Sequence, residues 1–272
     1  MNMLNQGSPS GNLKPAPILY LGDTTLDSAA GYLAGVMAHC GLAFDYFPSD
    51  QSPGPAHVSS DRKLFVISDF MAKMLSRETQ KAMLQQVERG TGLLMIGGWD
   101  SFCGLGGDWA GTPIASALPV EIDARDDRVN YDQVALLAKV TDHPILCDLP
   151  WNERPPAIGG FNRFRAKPES RILLNVVRHW VKHDGQTFEF EAAETDPLLV
   201  TGEYGQGRTA ALATDLAPHW VGPLVDWGTE NRPAPSGSGR VAAQAKGADE
   251  VETGCFYVQF VYQLLKWAGQ LG

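Results

Sequence analysis

The chain has 272 residues, 44% of them hydrophobic, and a formal net charge of −9. That size and apolar fraction suit one large α/β domain or two small ones with a full core. The acidic balance argues against nucleic acid or an anionic membrane as the main partner. Residues 1–15 carry no apolar stretch of the secretory type and are expected to form a flexible tail. Ile18-Leu19-Tyr20-Leu21 reads as a first strand, closed by Gly22-Asp23-Thr24-Thr25. Ser28 to Cys40 places Tyr32, Leu33, Val36 and Met37 at helical spacing, and Gly41 stops it. Phe44 to Phe47 is a second strand, and Pro48 to His57 a loop rich in Pro, Ser and Gly. Lys63 to Ser68 is a third strand, ending in Asp69-Phe70. Ser76 to Glu88 is a helix with Ser76 as N-cap, Glu78 in its first turn and Gly90 beyond its end. Gly92 to Ile96 is a buried fourth strand that breaks into Gly97-Gly98-Trp99-Asp100-Ser101. Strands and helices in this alternation indicate a parallel sheet with crossover connections.

After Val120 the pattern changes. Glu121 to Val140 is charged and ambiguous between helix and strand, and Asp142 to Pro168 is rich in turn residues. Arg171 to Val177 reads as a strand, His179 to Asp184 as a turn, and Thr187 to Glu191 as an edge strand. Leu198 to Glu203 and Arg208 to Thr214 flank Tyr204-Gly205-Gln206-Gly207, a hairpin turn. Asn231 to Gly239 is a Pro/Gly/Ser stretch expected to be a mobile loop. Phe256 to Gly269 closes the chain with an amphipathic stripe of Tyr257, Phe260, Val261, Leu264, Leu265 and Ala268. No apolar run approaches the ~20 residues that span a bilayer. Cys40, Cys103, Cys147 and Cys255 stand far apart with no C-x-x-C pair. That pattern indicates neither a disulfide framework nor a zinc site, and reduced thiols in a cytoplasmic protein are the simplest account.

Four strand ends carry polar residues: Asp23-Thr24, Ser68-Asp69, Trp99-Asp100-Ser101 with Cys103 just beyond, and Asp215 leading to Pro218-His219-Trp220. In a parallel sheet these ends share one edge, where open α/β sheets hold their ligands. A cleft walled by Trp99 and Trp220, with Trp227 as an optional third wall, and furnished with a few polar groups has the composition of a small-molecule site. Asp23, Asp69, Gly98, Trp99, Ser101 and Trp220 are the ligand-binding candidates, and Cys103, His219 and Asp215 the catalytic ones. The plainer alternatives are that Asp23 and Asp69 cap the following helices, that the tryptophans pack, and that His219 is a structural histidine. His143, His179 and His183 show no metal-ligand spacing, so no metal is expected. Gly104, Gly106 and Gly107 form neither G-x-G-x-x-G nor a P-loop, and no cofactor is expected. Cys103 matches the small-residue requirement of a nucleophile elbow only in part, because Leu105 stands at plus two.

The succession GLLMIGGWDSFCGLGGDWAGTPIASALPVEI, DHPIL, GEYGQGRTAALATDLAPHW, VDWG and the terminal YQLLKW resembles the bacterial "putative glutamine amidotransferase"-like domain. That group belongs to the class I glutamine amidotransferase-like superfamily, alongside trehalose-utilisation-type proteins. The resemblance covers nearly all of the chain after Pro17. It implies residues 16–272 as a single domain with an α/β, flavodoxin-like three-layer sandwich, a mainly parallel central sheet and a late β-hairpin. For the superfamily it implies an active site at a strand-to-helix elbow. Glutaminases of this class use a cysteine in G-x-C-x-G and a late His-Pro-Glu, in which the histidine shuttles the proton and the glutamate orients it. Here the late motif is Pro218-His219-Trp220-Val221, and Cys103 lies in a loop beyond the fourth strand, so the triad pattern is not intact.

Three readings follow. The first is a non-glutaminase that binds a small polar ligand, a sugar or an amide, in the rim cleft. The second is a thiol amidase using Cys103 as nucleophile and His219 as base. The third is a catalytically silent interaction module. The expected partner is a small polar molecule rather than nucleic acid or membrane, with a homo-oligomer as an open alternative.

Overall fold

The computed structural model describes residues 14–58, 61–229 and 239–272. Most of the expected N-terminal tail and of the loop at 231–239 lies outside the described residues. In chain order the first half contains β1 (Ile18–Gly22), α1 (Ala30–His39), β2 (Phe44–Pro48), β3 (Leu64–Ser68), α2 (Arg77–Glu88), β4 (Gly92–Ile96), α3 (Pro113–Ala117) and β5 (Val120–Ile122). The second half contains β6 (Arg128–Lys139), β7 (Ala157–Asn162), β8 (Phe164–Ala166), β9 (Arg171–His183), β10 (Phe188–Tyr204), β11 (Gly207–Leu212), α4 (Pro218–Val221), β12 (Arg240–Ala243), β13 (Val251–Gly254) and α5 (Cys255–Gly269).

Every residue of β1, β3 and β4 is buried. Their unbroken apolar sequences suit strands covered on both faces, the condition under which parallel pairing is stable. β2 is only half-buried and ends in Pro48 at the sheet's edge, where a missing N–H costs nothing. α2 starts where its sequence requires: Ser76 Oγ accepts the N–H of Thr79 at 3.1 Å, and Glu78 lies in the positive first turn. α5 buries Tyr257, Phe260, Val261, Leu264 and Leu265 over β3, β4 and β11. It lies so close that a Cβ on Gly92 would stand 2.0 Å from the carbonyl oxygen of Ala268.

Among the described residues a nine-stranded sheet runs β2-β1-β3-β4-β11-β10-β9-β6-β7. Pairing is parallel from β2 to β11 and antiparallel from β11 to β7. The parallel sheet inferred from the sequence is therefore one half of a mixed sheet. β10 folds back onto β11 with Tyr204 opposite Gly207, and Gly205 supplies the positive φ of +59° that the two-residue turn needs. The smaller pairs β5–β8 and β12–β13 are both antiparallel.

Two expectations change. The segment His179–Asp184 is not a turn: β9 runs through His183, and the reversal falls at 184–187. Asp184 Oδ1 accepts the N–H groups of Gln186 and Thr187, both at 2.8 Å, and so shapes the turn just beyond the expected segment. The turn-rich stretch after Asp142 contains β7 and β8, and the ambiguous stretch after Glu121 is strand β6. These strands owe their conformation to partners far away in sequence, so local pattern does not display them.

What matters for function is the order β1-β3-β4-β11. These four are adjacent and parallel, so Asp23, Asp69, Gly97 to Ser101 and Asp215 emerge along a single edge of the sheet.

Candidate functional site at the carboxyl edge of the parallel strands

Immediately after β3 the backbone of Asp69 takes a φ of +48°, a left-handed conformation uncommon outside glycine. Its surroundings hold it there. The Asp69 N–H donates to Ser101 Oγ at 2.9 Å, and Asp69 Oδ1 accepts the N–H of Asp100 at 3.0 Å. The two glycines after β4 make this arrangement fit. A Cβ on Gly97 would stand 1.9 Å from the carbonyl oxygen of Ala213, just beyond β11. A Cβ on Gly98, whose φ is +157°, would stand 2.0 Å from Asp69 Oδ1. The first glycine lets β4 and β11 close up, and the second gives the Asp69 carboxyl its place.

Asp69 shares that place with other acids. It lines a cavity of about 10 Å³ together with Tyr20, Asp23, Ser68 and Asp215. Burial pushes the Asp69 carboxyl up to about 7; the Asp100 and Trp99 N–H groups oppose the shift, and the charges of Asp23 and Asp100 add to it. Asp215 is driven well above the usual carboxylate range, first by burial and then by the charge of Asp69. The N–H groups of Leu216 and Ala217 reach Asp215 Oδ1 at 2.5 and 3.2 Å. Tyr20, 2% exposed, has its phenol pushed up by burial and by Tyr46, Asp215, Asp69 and Asp23. Carboxyls this close and this dry cannot all be ionised at neutral pH, so the cluster holds a proton.

Outside the cavity stand Trp99, 49% exposed, and Asp100. The guanidinium of Arg128 lies 4.8 Å from the centre of the Trp99 ring. It is held there by Asp126 through bonds of 2.9 and 2.8 Å to its two carboxylate oxygens. Asp100 is raised by burial and by Asp23, with Lys73 and Arg128 pulling the other way. Trp99 and Asp100 thus follow Gly98 on the sheet edge that also carries the small polar recess.

The loop that carries Gly98 to Gly104 is clasped from the antiparallel half by two residues the sequence did not single out. Asp127 Oδ2 accepts the N–H of Cys103 at 2.9 Å, and its Oδ1 accepts the N–H of Gly104 at 2.9 Å and the Asn162 side-chain amide at 2.8 Å. Asn162 Oδ1 in turn accepts the N–H of Gly98 at 2.8 Å. Asp127 lies in the charged stretch before β6 and Asn162 ends β7, so their relation to Gly98 exists only once the sheet is assembled. The acidic run Asp123 to Asp127 was the one visible hint.

The remaining candidates fall as follows. Cys103 is buried, and its thiol is pushed up by burial and by Asp127, Asp108, Asp126 and Asp123. Ser101 is fully buried, and its hydroxyl supports Asp69 from within. Asp23 ties the loop before α1, its two oxygens accepting the Thr24 N–H at 2.7 Å and the Ser28 hydroxyl at 3.1 Å. His219 belongs to α4, and its side chain lies outside the described residues. Trp220 is buried against Gly160 of β7, and its indole N–H donates to Asn130 of β6 at 2.6 Å. Trp227 packs at a tilt against Trp151, 4.5 Å between ring centres, and donates to the carbonyl oxygen of Arg154, as a core residue does. Among the described residues no three His, Cys, Asp or Glu side chains form a group that could hold a metal ion. None of the described helices is long and apolar enough to cross a membrane. A wider open groove of about 810 Å³ lies beside Asp127 on the antiparallel half, lined by Arg125, Arg128, Arg163 and Arg165 with interspersed acids.

A family model described as "Putative glutamine amidotransferase" matches residues 56–233, which include Asp69, Gly98, Asp127, Asn162 and Asp215. A cytoplasmic protein of Salmonella typhimurium LT2 has a similar solved structure, with 25% identity, 76% of this chain and 91% of that one covered, and a TM-score of 0.63. A second cytoplasmic protein of Salmonella typhimurium aligns with 23% identity over 93% of this chain and 98% of that one, again with a TM-score of 0.63. No curated protein matches the chain.

Proposed function

We propose, for a chain that belongs to the family described as "Putative glutamine amidotransferase", that the carboxyl edge of β1, β3, β4 and β11 is a binding site for a small polar molecule, a sugar or an amide, without glutaminase chemistry. Asp69 carries this reading. A part-buried carboxyl in a left-handed backbone, admitted by a glycine and raised to about 7, costs the fold stability in three separate ways. Strain and perturbed ionisation gathered at a strand's carboxyl end mark a working residue more often than a structural one. Asp23, Asp69 and Trp99 touch the ligand in this reading, Gly98 and Ser101 set Asp69, and Asp215 acts through the proton it holds.

The glutaminase triad is read as lapsed. An amide nucleophile needs a thiolate, and the aspartates around Cys103 favour the neutral thiol. Residues 16–272 are read as one domain, with the parallel half as a flavodoxin-like three-layer unit ending in the β10–β11 hairpin. Kinship with trehalose-utilisation-type proteins and a cytoplasmic location complete the proposal; the descriptions of the two Salmonella relatives as cytoplasmic support the latter.

A panel of neutral sugars and carboxamides tests the site by thermal shift. At least one member is expected to raise the melting temperature of the wild type and leave that of Asp69→Asn unmoved. Equal shifts in both proteins, or none in either, would overturn the proposal.

A further inference from the structure

The cavity at Asp69 has a definite size and a definite set of polar atoms. Its volume of about 10 Å³ matches a single water-sized group. Two of its walls are hydroxyls: Tyr20, 2% exposed, and Ser68, 6% exposed. The Tyr20 hydroxyl is faced by Asp23, Asp69 and Asp215 and borders the cavity, so a group seated there meets both a phenol and carboxyls. Asp69 and Asp23, at the mouth, are partly exposed, whereas Tyr20, Ser68 and Asp215 form the floor.

We infer that this cavity seats one hydroxyl group of a neutral polyol or sugar, which donates to Asp69 and accepts from Tyr20. This rests on the rim being a ligand site and decides between the two ligand classes proposed for it. The space demands a group that donates and accepts through a single heavy atom. A hydroxyl does both. A carbonyl only accepts and would leave the Asp69 carboxylate without a donor. An ammonium only donates and would leave Tyr20 without an acceptor. A carboxamide divides the two roles between two heavy atoms, too many for a recess of one water. An anion is repelled by Asp23, Asp69 and Asp100. The remainder of the polyol lies outside, where the half-exposed ring of Trp99 offers an apolar face to its C–H groups.

Calorimetric titration with glycerol, xylitol and D-glucose, and with propionamide and acetate as controls, tests the assignment. At least one polyol is expected to saturate the protein, and Tyr20→Phe to weaken it roughly tenfold, the effect of one lost hydrogen bond in a dry site. Ser68→Ala serves as the second variant should Tyr20→Phe melt early. Polyol affinity is also expected to rise with pH through about 7 as Asp69 becomes the ionised acceptor. The other titratable groups facing it are Asp23, Asp100, Asp215 and Tyr20, with Tyr46 beyond Asp23, Tyr257 beyond Asp215 and Lys73 beyond Asp100. Propionamide binding without polyol binding would overturn this assignment and leave the rim site standing. Polyol binding unaltered by both hydroxyl variants would overturn it as well. Failure of both ligand classes would remove the site altogether.

Discussion

Replacing Asp69 by Asn should make the protein more stable at neutral and alkaline pH. The carboxyl is raised from 3.8 to about 7, so the folded chain holds a proton over an interval in which the unfolded chain has lost it. A raised acid contributes its stability at low pH and loses it as pH climbs from the unfolded to the folded value. At about 1.4 kcal/mol per unit, the full cost of ionising Asp69 in place is about 4 to 5 kcal/mol. The pair shares its proton with Asp215, so about 2 kcal/mol is the working figure for one carboxyl. Asparagine has no charge to bury, and its Oδ1 can still accept the N–H of Asp100. Urea unfolding of both proteins at a series of pH values from about 4 to about 8 reads the difference directly, because ionisations common to both cancel. The variant is expected to match the wild type near pH 4 and to exceed it by about 2 kcal/mol near pH 8. A variant less stable than the wild type at pH 8, or a difference that does not change with pH, would refute the assignment of a buried ionisation to Asp69.

Gly98→Ala should cost about 3 kcal/mol or more, since its Cβ would stand 2.0 Å from the Asp69 carboxylate. The same change made in an Asp69→Ala background should cost clearly less, which a double-mutant cycle by denaturant unfolding would reveal. Asp127→Ala strips acceptors from the N–H groups of Cys103 and Gly104 and from Asn162, and should destabilise by about 3 kcal/mol in the same assay. Cys103 should alkylate with iodoacetamide no faster than an ordinary buried thiol at neutral pH, its rate rising only at a pH above the ordinary thiol range. Rapid labelling at neutral pH, read by mass spectrometry, would return the thiol amidase reading to consideration.

The parallel half of this fold could be read from the chain because its signals are local. β1, β3 and β4 are unbroken apolar runs buried on both faces, and α2 announces its start at Ser76. Much of the antiparallel half could not, because β6 is partly exposed and it and the buried β7 depend on pairing across long intervals. The apolar stretch Arg171 to Val177 of β9 and the hairpin at Tyr204 to Gly207 were exceptions, the hairpin because its turn chemistry is written in four consecutive residues. The site divides in the same way. Asp23, Asp69 and Asp215 were legible as residues just beyond strand ends. That Gly98 clears space for Asp69, and that Asp127 and Asn162 clasp the Gly98 to Gly104 loop, depends on contacts across 23 to 64 positions of sequence, which no local pattern encodes. Trp220 looked like a cleft wall beside His219, but its indole packs on Gly160, a neighbour the turn-rich stretch concealed.

The most direct test of the central claim, that the ligand site surrounds Asp69, is an amide-resolved NMR titration with xylitol. The N–H groups of Asp69 and Asp100 are tied to the Asp69–Ser101 network, and that of Gly98 to Asn162 beside it. Saturable shifts centred on Asp69, Gly98 and Asp100, and lost in Asp69→Asn, are the expected result. Saturable shifts centred instead on the open groove at Arg125 and Arg165, or shifts that persist unchanged in Asp69→Asn, would contradict it.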